Sequence, residues 1–197
     1  MKQERAGRTR RALLEAAAAE FDRRGYAGAS LAGIAAAAGI SIGALTFHFS
    51  SKNQLARAVR DQGIAATRAL VADATARREA PFQCVVSLTV TLVELLERDV
   101  SVRAAARLAR EAYDDQHRWE SEWVPVIGER LRAGAEGTSH GTDSAALTAM
   151  AVHLVCGVEA TLRHRGLPDD GQSNSDMLTR IWQLLPHASP AAGGVDA

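Results

Sequence analysis

Leu13, Ala17 and Phe21 recur every fourth position, with Leu14 and Ala18 beside them. This stripe predicts an amphipathic helix from about Arg8 to Arg24. Gly25 ends it, and Tyr26 tucks back towards the core. Ser30 caps a short second helix carrying Leu31, Ile34, Ala35 and Ala38. Gly39 supplies a turn, and Ser41 caps a very short third helix through Phe47. Ser50 or Ser51 caps a long fourth helix that buries Leu55, Val59 and Ile64 and runs past Leu70 towards Arg77.

Pro81 opens a fifth helix with a wide apolar face: Phe82, Val85, Val86, Thr89, Leu92, Val93 and Leu96. The pattern then predicts a helix capped by Ser101, a bend at Asp114–Arg118, and a helix over Trp119–Ala135 disturbed near its start by Pro125. After a loop over 136–143, Ser144 to about Arg165 is strongly apolar, with Leu147, Met150, Ala151, Leu154, Val155, Val158 and Leu162. Residues 166–173 read as a loop, Ser175–Leu185 as the last helix, and the Pro/Ala/Gly-rich end as disordered. Strand signals are scarce and alanine is abundant, so the fold class is all-α.

With 197 residues the chain can bury a core without staples. Cys84 and Cys156 are too few for a disulfide framework or a zinc knuckle, and a reduced, cytoplasmic setting is expected. No signal peptide is read at the N-terminus, and no apolar run is expected to reach membrane-spanning length. The 23 basic and 23 acidic residues cancel overall, but not locally. Residues 1–60 hold ten Lys or Arg against four Asp or Glu, a net +6, which leaves −6 for the rest. A basic head on an acidic body has one polyanion-seeking end.

Three helices fit inside the first fifty residues, the second and third separated by Ala38-Gly39-Ile40. This is helix-turn-helix spacing, with the second short helix presented to a major groove. Arg8, Arg10, Arg11 and Lys52 flank the unit as phosphate partners. The capped starts at Ser30 and Ser41 offer backbone amides to phosphates. Ser41, Ile42, Gly43, Leu45, Thr46 and His48 are expected at or beside the groove, with Ala44 at the close approach. Phe47 and Phe49 are expected in the core, and His48 more exposed.

Residues 8–55 carry FDRRGY at 21–26, SLAGIAAAAGIS at 30–41, GAL at 43–45, FHF at 47–49 and SK at 51–52. In these marks the chain resembles the TetR family of one-component repressors. FHF, the SEW of residues 121–123 before VPVIGERL, and VCGVEAT at 155–161 resemble the branch of receptors for γ-butyrolactone, butenolide and furan signals of antibiotic-producing actinomycetes. The branch commonly has Thr-Lys before Gly-Ala and a Tyr at the place of Thr46. Here Ser41-Ile42 precede Gly43-Ala44, which removes two usual phosphate or base contacts.

The resemblance implies a head over 1–50, a helical ligand-binding and dimerisation body over 51–187, and a disordered tail over 188–197. It implies a dimer on a palindromic DNA operator, released by a small apolar molecule, with no membrane partner, no metal and no cofactor. The dimer is expected through the 144–165 and 175–185 helices, Ala151 and Gly157 permitting close approach. A ligand pocket is expected between the central helices, lined by Phe82, Val86, Val93, Trp123, Ile127 and Val158. Thr161 either bonds back to its own helix or orients the ligand. Gln62 and Gln83 are further polar candidates. Trp123 is either core packing or a rigid wall of the pocket. A ligand-insensitive DNA-binding protein and an enzyme on a helical scaffold remain as alternatives. The enzyme reading lacks HExxH, GxSxG, a Walker loop, GxGxxG and a Cys/His cluster.

Overall fold

A computed structural model describes residues 2–111, 118–135, 143–163 and 173–185. Among these the chain is all helical: α1 (Lys2–Gly28), α2 (Leu31–Ala37), α3 (Ile42–His48), α4 (Lys52–Ala76), α5 (Pro81–Arg98), α6 (Val100–Glu111), a short 3-10 helix (Trp119–Glu122), α7 (Val124–Ala135), α8 (Ser144–Arg163) and α9 (Asn174–Leu184). The expected bend at 114–118 lies mostly outside the described residues, as do the loops of 136–142 and 164–172 and the tail from 186.

Local chemistry sets most of the boundaries. α1 begins earlier than its apolar stripe predicts and is broken at Gly25, whose φ of 69° suits a residue without a Cβ. Ser30 Oγ accepts from the Gly33 amide at 3.0 Å, Ser41 Oγ from Ala44 at 3.1 Å, and Ser51 Oγ from Gln54 at 3.1 Å. Each satisfies an amide at the start of a helix. Ser101, by contrast, is inside α6 and buried. Asp99 takes the expected capping role: its Oδ1 accepts from Ser101 N at 2.8 Å. Asp143 does the same for α8, accepting from Ala145 N and Ala146 N at 3.1 and 2.9 Å. The helix expected over Trp119–Ala135 is divided at Trp123, whose ψ of −28° and φ of −131° part the 3-10 turn from α7. Pro125 then sits in the first turn of α7, where its missing N–H costs nothing.

Two apolar cores form. The head core gathers Leu13, Ala17, Phe21, Ile34, Leu45 and Phe49 with Leu55, Ala56 and Val59 of α4 and Ala104 and Leu108 of α6. The body core gathers Val85, Leu88, Leu92, Val93, Leu96, Val102, Trp119, Trp123, Ile127, Val155, Leu178 and Trp182. α4 and α6 serve both. They meet closely because Gly63 faces the backbone of Ser101 and the Ala105 side chain, where any Cβ would collide.

α6 also ties the head to the body by charge. Arg103 Nε donates to Asp22 Oδ2 at 2.9 Å, Arg107 Nη1 to the Asp22 carbonyl at 2.6 Å, and the Tyr26 amide to Glu111 Oε2 at 2.6 Å. On its other side, Arg110 Nη2 donates to the fully buried Glu159 of α8 at 2.6 Å. The two cysteines are unbridged, Cys84 buried and Cys156 half-buried.

α8 corrects one expectation. By length and composition it is apolar enough to cross a membrane, although no such segment was expected. Only 17% of its most apolar window is buried. It presents Ala145, Ala149, His153, Gly157 and Thr161, four residues apart, on one exposed line.

Candidate nucleic-acid interface and ligand site

α3 projects from the head with one face in and one face out. Leu45 is fully buried, and Ala44 and His48 are half-buried. Ser41, Ile42, Gly43, Thr46 and Phe47 are exposed. Two expectations are reversed here. Leu45, expected at the groove, belongs to the head core with Phe21, Ile34 and Phe49. Phe47, expected in the core, is 85% exposed. The cause is helical phase: Phe47 is two residues on from Leu45, about 200° round the axis. His48 is the less exposed of the neighbours, its ring edge-on to Phe47 at 5.4 Å between centroids. Phe49 is buried, as expected.

The polar groups of α3 are largely engaged. Ser41 Oγ caps the helix, and Thr46 Oγ1 donates to the Gly43 carbonyl at 3.1 Å. Arg8, Arg10 and Arg11 are exposed on α1, and the Arg10 guanidinium lies 5.1 Å over the Phe49 ring. The structure thus brings Arg10 to the end of α3. Ser30 is exposed at the start of α2, where it serves as cap.

Lys52, expected on the DNA backbone, is placed differently. Its ammonium donates to the carbonyls of Tyr26 at 2.8 Å and Ala29 at 3.0 Å, and lies 4.4 Å over the Tyr26 ring. The end of α1 leaves carbonyls without intrahelical donors, and a cation there satisfies them. Arg57 is exposed further along α4.

In the body, Val93, Trp123 and Ile127 are fully buried in one cluster, with Phe82, Val86 and Val158 packed partly buried against it. The remaining expected pocket residues lie outside. Gln83 and Thr161 are exposed, and Thr161 Oγ1 donates to the Gly157 carbonyl at 2.9 Å, its alternative as a back-bonded threonine. Gln62 is exposed and donates to Ser101 Oγ at 3.2 Å. Ala151, expected to allow close approach between subunits, points into the body core.

Three tryptophans stand in this core. Trp119 Nε1 donates to Thr67 Oγ1 and Trp182 Nε1 to Thr89 Oγ1, both at 2.9 Å. Each acceptor is a buried threonine. Trp123, edge-on to Trp119 at 5.4 Å, has a buried Nε1 with no hydrogen-bond partner. A buried N–H left unpaired costs about 1–3 kcal/mol, so this is the one indole that gains from an added acceptor. A separate groove of about 770 Å³ lies between α7 and α8, lined by Val124, Pro125, Gly128, Arg132, Ser144 and Thr148, and Trp123 is not among its lining residues. Among the described residues no group of three or more His, Cys, Asp or Glu is placed to hold a metal.

Residues 13–59 match the model of the bacterial regulatory proteins of the tetR family. The chain is 31% identical over 137 residues to the A-factor receptor protein of Streptomyces griseus, a match covering 68% of this chain and 47% of that protein. The chain therefore spans about half the length of the curated relative it matches. Among solved structures, a gamma-butyrolactone receptor described as ArpA-like is 28% identical with a TM-score of 0.69, over 91% of this chain and 97% of that one. CprB from Streptomyces coelicolor, solved in complex with its operator sequence, is 27% identical with a TM-score of 0.68, over 91% and 98%.

Proposed function

We propose that this chain, whose residues 13–59 form a TetR-family head, is a ligand-responsive repressor that binds a palindromic DNA operator as a dimer. The relatives named above include a receptor for a γ-butyrolactone-type signal and a protein solved on its operator, and both descriptions carry over as the proposal. The signal is a compact, mostly apolar molecule with one or two oxygens, of the lactone, butenolide or furan kind. The observation that carries the sensor half is the unpaired, buried Trp123 indole N–H. A carbonyl or ring oxygen placed there gains a hydrogen bond that the empty protein lacks.

The dimer reading rests on the exposed line of α8, small residues apart from His153 at its middle, and on Met177 and Leu184 of α9, which are exposed at 40% and 81%. Two helices from each subunit make a four-helix bundle about a two-fold axis. The two heads then meet successive major grooves. Release follows when the signal binds the off-DNA arrangement more tightly than the on-DNA one. A ~10-fold preference supplies about 1.4 kcal/mol. α4 and α6 carry the change, because both belong to the head core and to the body.

The test is release of a fluorescent operator duplex by γ-butyrolactones of increasing acyl-chain length. Trp123→Phe keeps an aromatic ring at this place and removes the N–H together with the five-membered ring that carries it. The proposal expects this variant to bind operator normally and to need at least tenfold more lactone. An unchanged dose-response would refute the role of Trp123.

A further inference from the structure

The outer face of α3 has an unusual chemistry for a surface meant to read bases. Ile42 and Thr46 are four residues apart, as are Gly43 and Phe47. Together they sweep about 140° of the helix surface. All four are exposed, Ile42 at 51% and Phe47 at 85%. No side chain from Ile42 to Phe47 carries an amide, guanidinium, ammonium or carboxylate. The Thr46 hydroxyl hydrogen is spent on the Gly43 carbonyl, and the Ser41 hydroxyl oxygen on the cap of the helix. The bidentate donors and acceptors that discriminate guanine and adenine edges are therefore missing from this face.

What the face offers is apolar surface. Ile42 and Phe47 are two of four large hydrophobic residues exposed among the described residues, the other two being on α9. Gly43 between them leaves a shallow place, since a Cβ there would meet only the Ser41 hydroxyl within 4 Å. A cation stands at the end of this helix: Arg10 of α1 lies 5.1 Å over the Phe49 ring, and Arg8 and Arg11 are exposed on the same α1. An apolar strip beside exposed cations complements a surface that is apolar within and anionic along its borders. In the major groove the base group answering that description is the thymine 5-methyl, flanked by phosphates.

Resting on the DNA-binding reading above, we infer that this head sorts sequences by thymine methyl groups packed against Phe47 and Ile42, with the arginines setting register on the backbone. Phe47 is then the specificity-determining residue of α3. Thr46, whose methyl shares the face, extends the strip at its middle.

The experiment begins with the full chain selecting duplexes from a randomised library. The best duplex is resynthesised with deoxyuridine for thymidine, first throughout and then singly, and binding is followed by fluorescence anisotropy. Removing a methyl leaves pairing intact and deletes only the proposed contact. Losing one buried methyl in each half-site should weaken binding roughly fifteenfold, about fourfold for each. The loss should concentrate at one or two positions per half-site. Phe47→Ala, at an exposed position that leaves the head core untouched, should lose most of the difference between the thymidine and deoxyuridine duplexes, with Ile42 retaining the remainder. Arg10→Ala should weaken both duplexes and preserve the difference between them. Thymidine and deoxyuridine duplexes bound within twofold of each other would overturn the inference while leaving DNA binding standing. So would a Phe47→Ala protein that keeps the full difference. Failure to enrich any duplex would overturn the DNA-binding reading, and this inference with it.

Discussion

At position 52 the motif and the geometry assign one lysine two different tasks. The sequence places Lys52 beside a helix-turn-helix, where a cation reads as a phosphate partner. The structure spends two of its three N–H groups on the carbonyls of Tyr26 and Ala29. Lys52→Ala should therefore lower the melting temperature of the head by an amount equivalent to about 1–3 kcal/mol, since it strands two acceptors near the end of α1. Arg10→Ala should leave the melting temperature nearly unchanged and reduce the salt slope of operator binding by about one. Melting curves and binding at several salt concentrations distinguish the two residues, and a reversed pattern would return Lys52 to the backbone. The swap of Leu45 and Phe47 was illegible for a related reason. A helix of seven residues has too few turns to fix the phase of its apolar stripe, and FHF offers aromatic residues to both faces. Cys156 is unbridged and half-buried, and its chemistry agrees with that place. Burial, with the Glu120 carboxylate next in effect, pushes its thiol up to about 11. Burial and a neighbouring anion both disfavour the thiolate. Its alkylation by iodoacetamide, followed by peptide mass spectrometry, should rise about thirtyfold from pH 8.5 to pH 10. An ordinary thiol near 8.5 rises about twofold over that interval, and such a result here would contradict the assignment.

At the scale of the helices, ends were legible where one side chain and one amide decide them. Ser30, Ser41 and Ser51 each cap as their positions suggest. Asp99 and Asp143 were missed because serines one or two residues on offered equally good cap chemistry, and only packing of Ser101 into the core separates the choices. The divided helix at Trp123 was illegible because the ring must be buried against Trp119, a tertiary demand that overrides a continuous helical pattern. α8 shows the same limit: its apolar spacing is plain, but which side faces the body is set by its packing against α5 and α7, with Val155 and Ala151 in the core. That leaves Gly157 on the outside, where an added Cβ meets nothing within 4 Å. Gly157→Glu should thus fold as well as the parent, with helix propensity improved by up to ~1 kcal/mol. Across a two-fold axis it sets two carboxylates facing each other. Sedimentation at micromolar concentration should show a dimer for the parent and a monomer for Gly157→Glu. A variant that stays dimeric would move the interface off this face.

Over the whole molecule, the helical class and the order of head and body were legible, because apolar period and cap chemistry repeat along the chain. The coupling between them was not. A border at residue 50 follows the motif, yet the head core takes in Leu55 and Val59 of α4 and Ala104 and Leu108 of α6. Arg103, Arg107 and Glu111 then fasten α6 to Asp22 and Tyr26. Such contacts span about 80 residues of sequence, and no local pattern announces them. They make α6 the wall shared by head and body, which is where the proposed function puts the coupling between a bound signal and the heads. The most direct measurement is anisotropy of a library-selected operator duplex titrated with the full chain and then with γ-butyrolactones. The account predicts saturation at an even number of subunits per palindrome, followed by return to the anisotropy of free duplex as lactone is added. A duplex that binds and stays bound through the whole lactone series, up to millimolar, would contradict it.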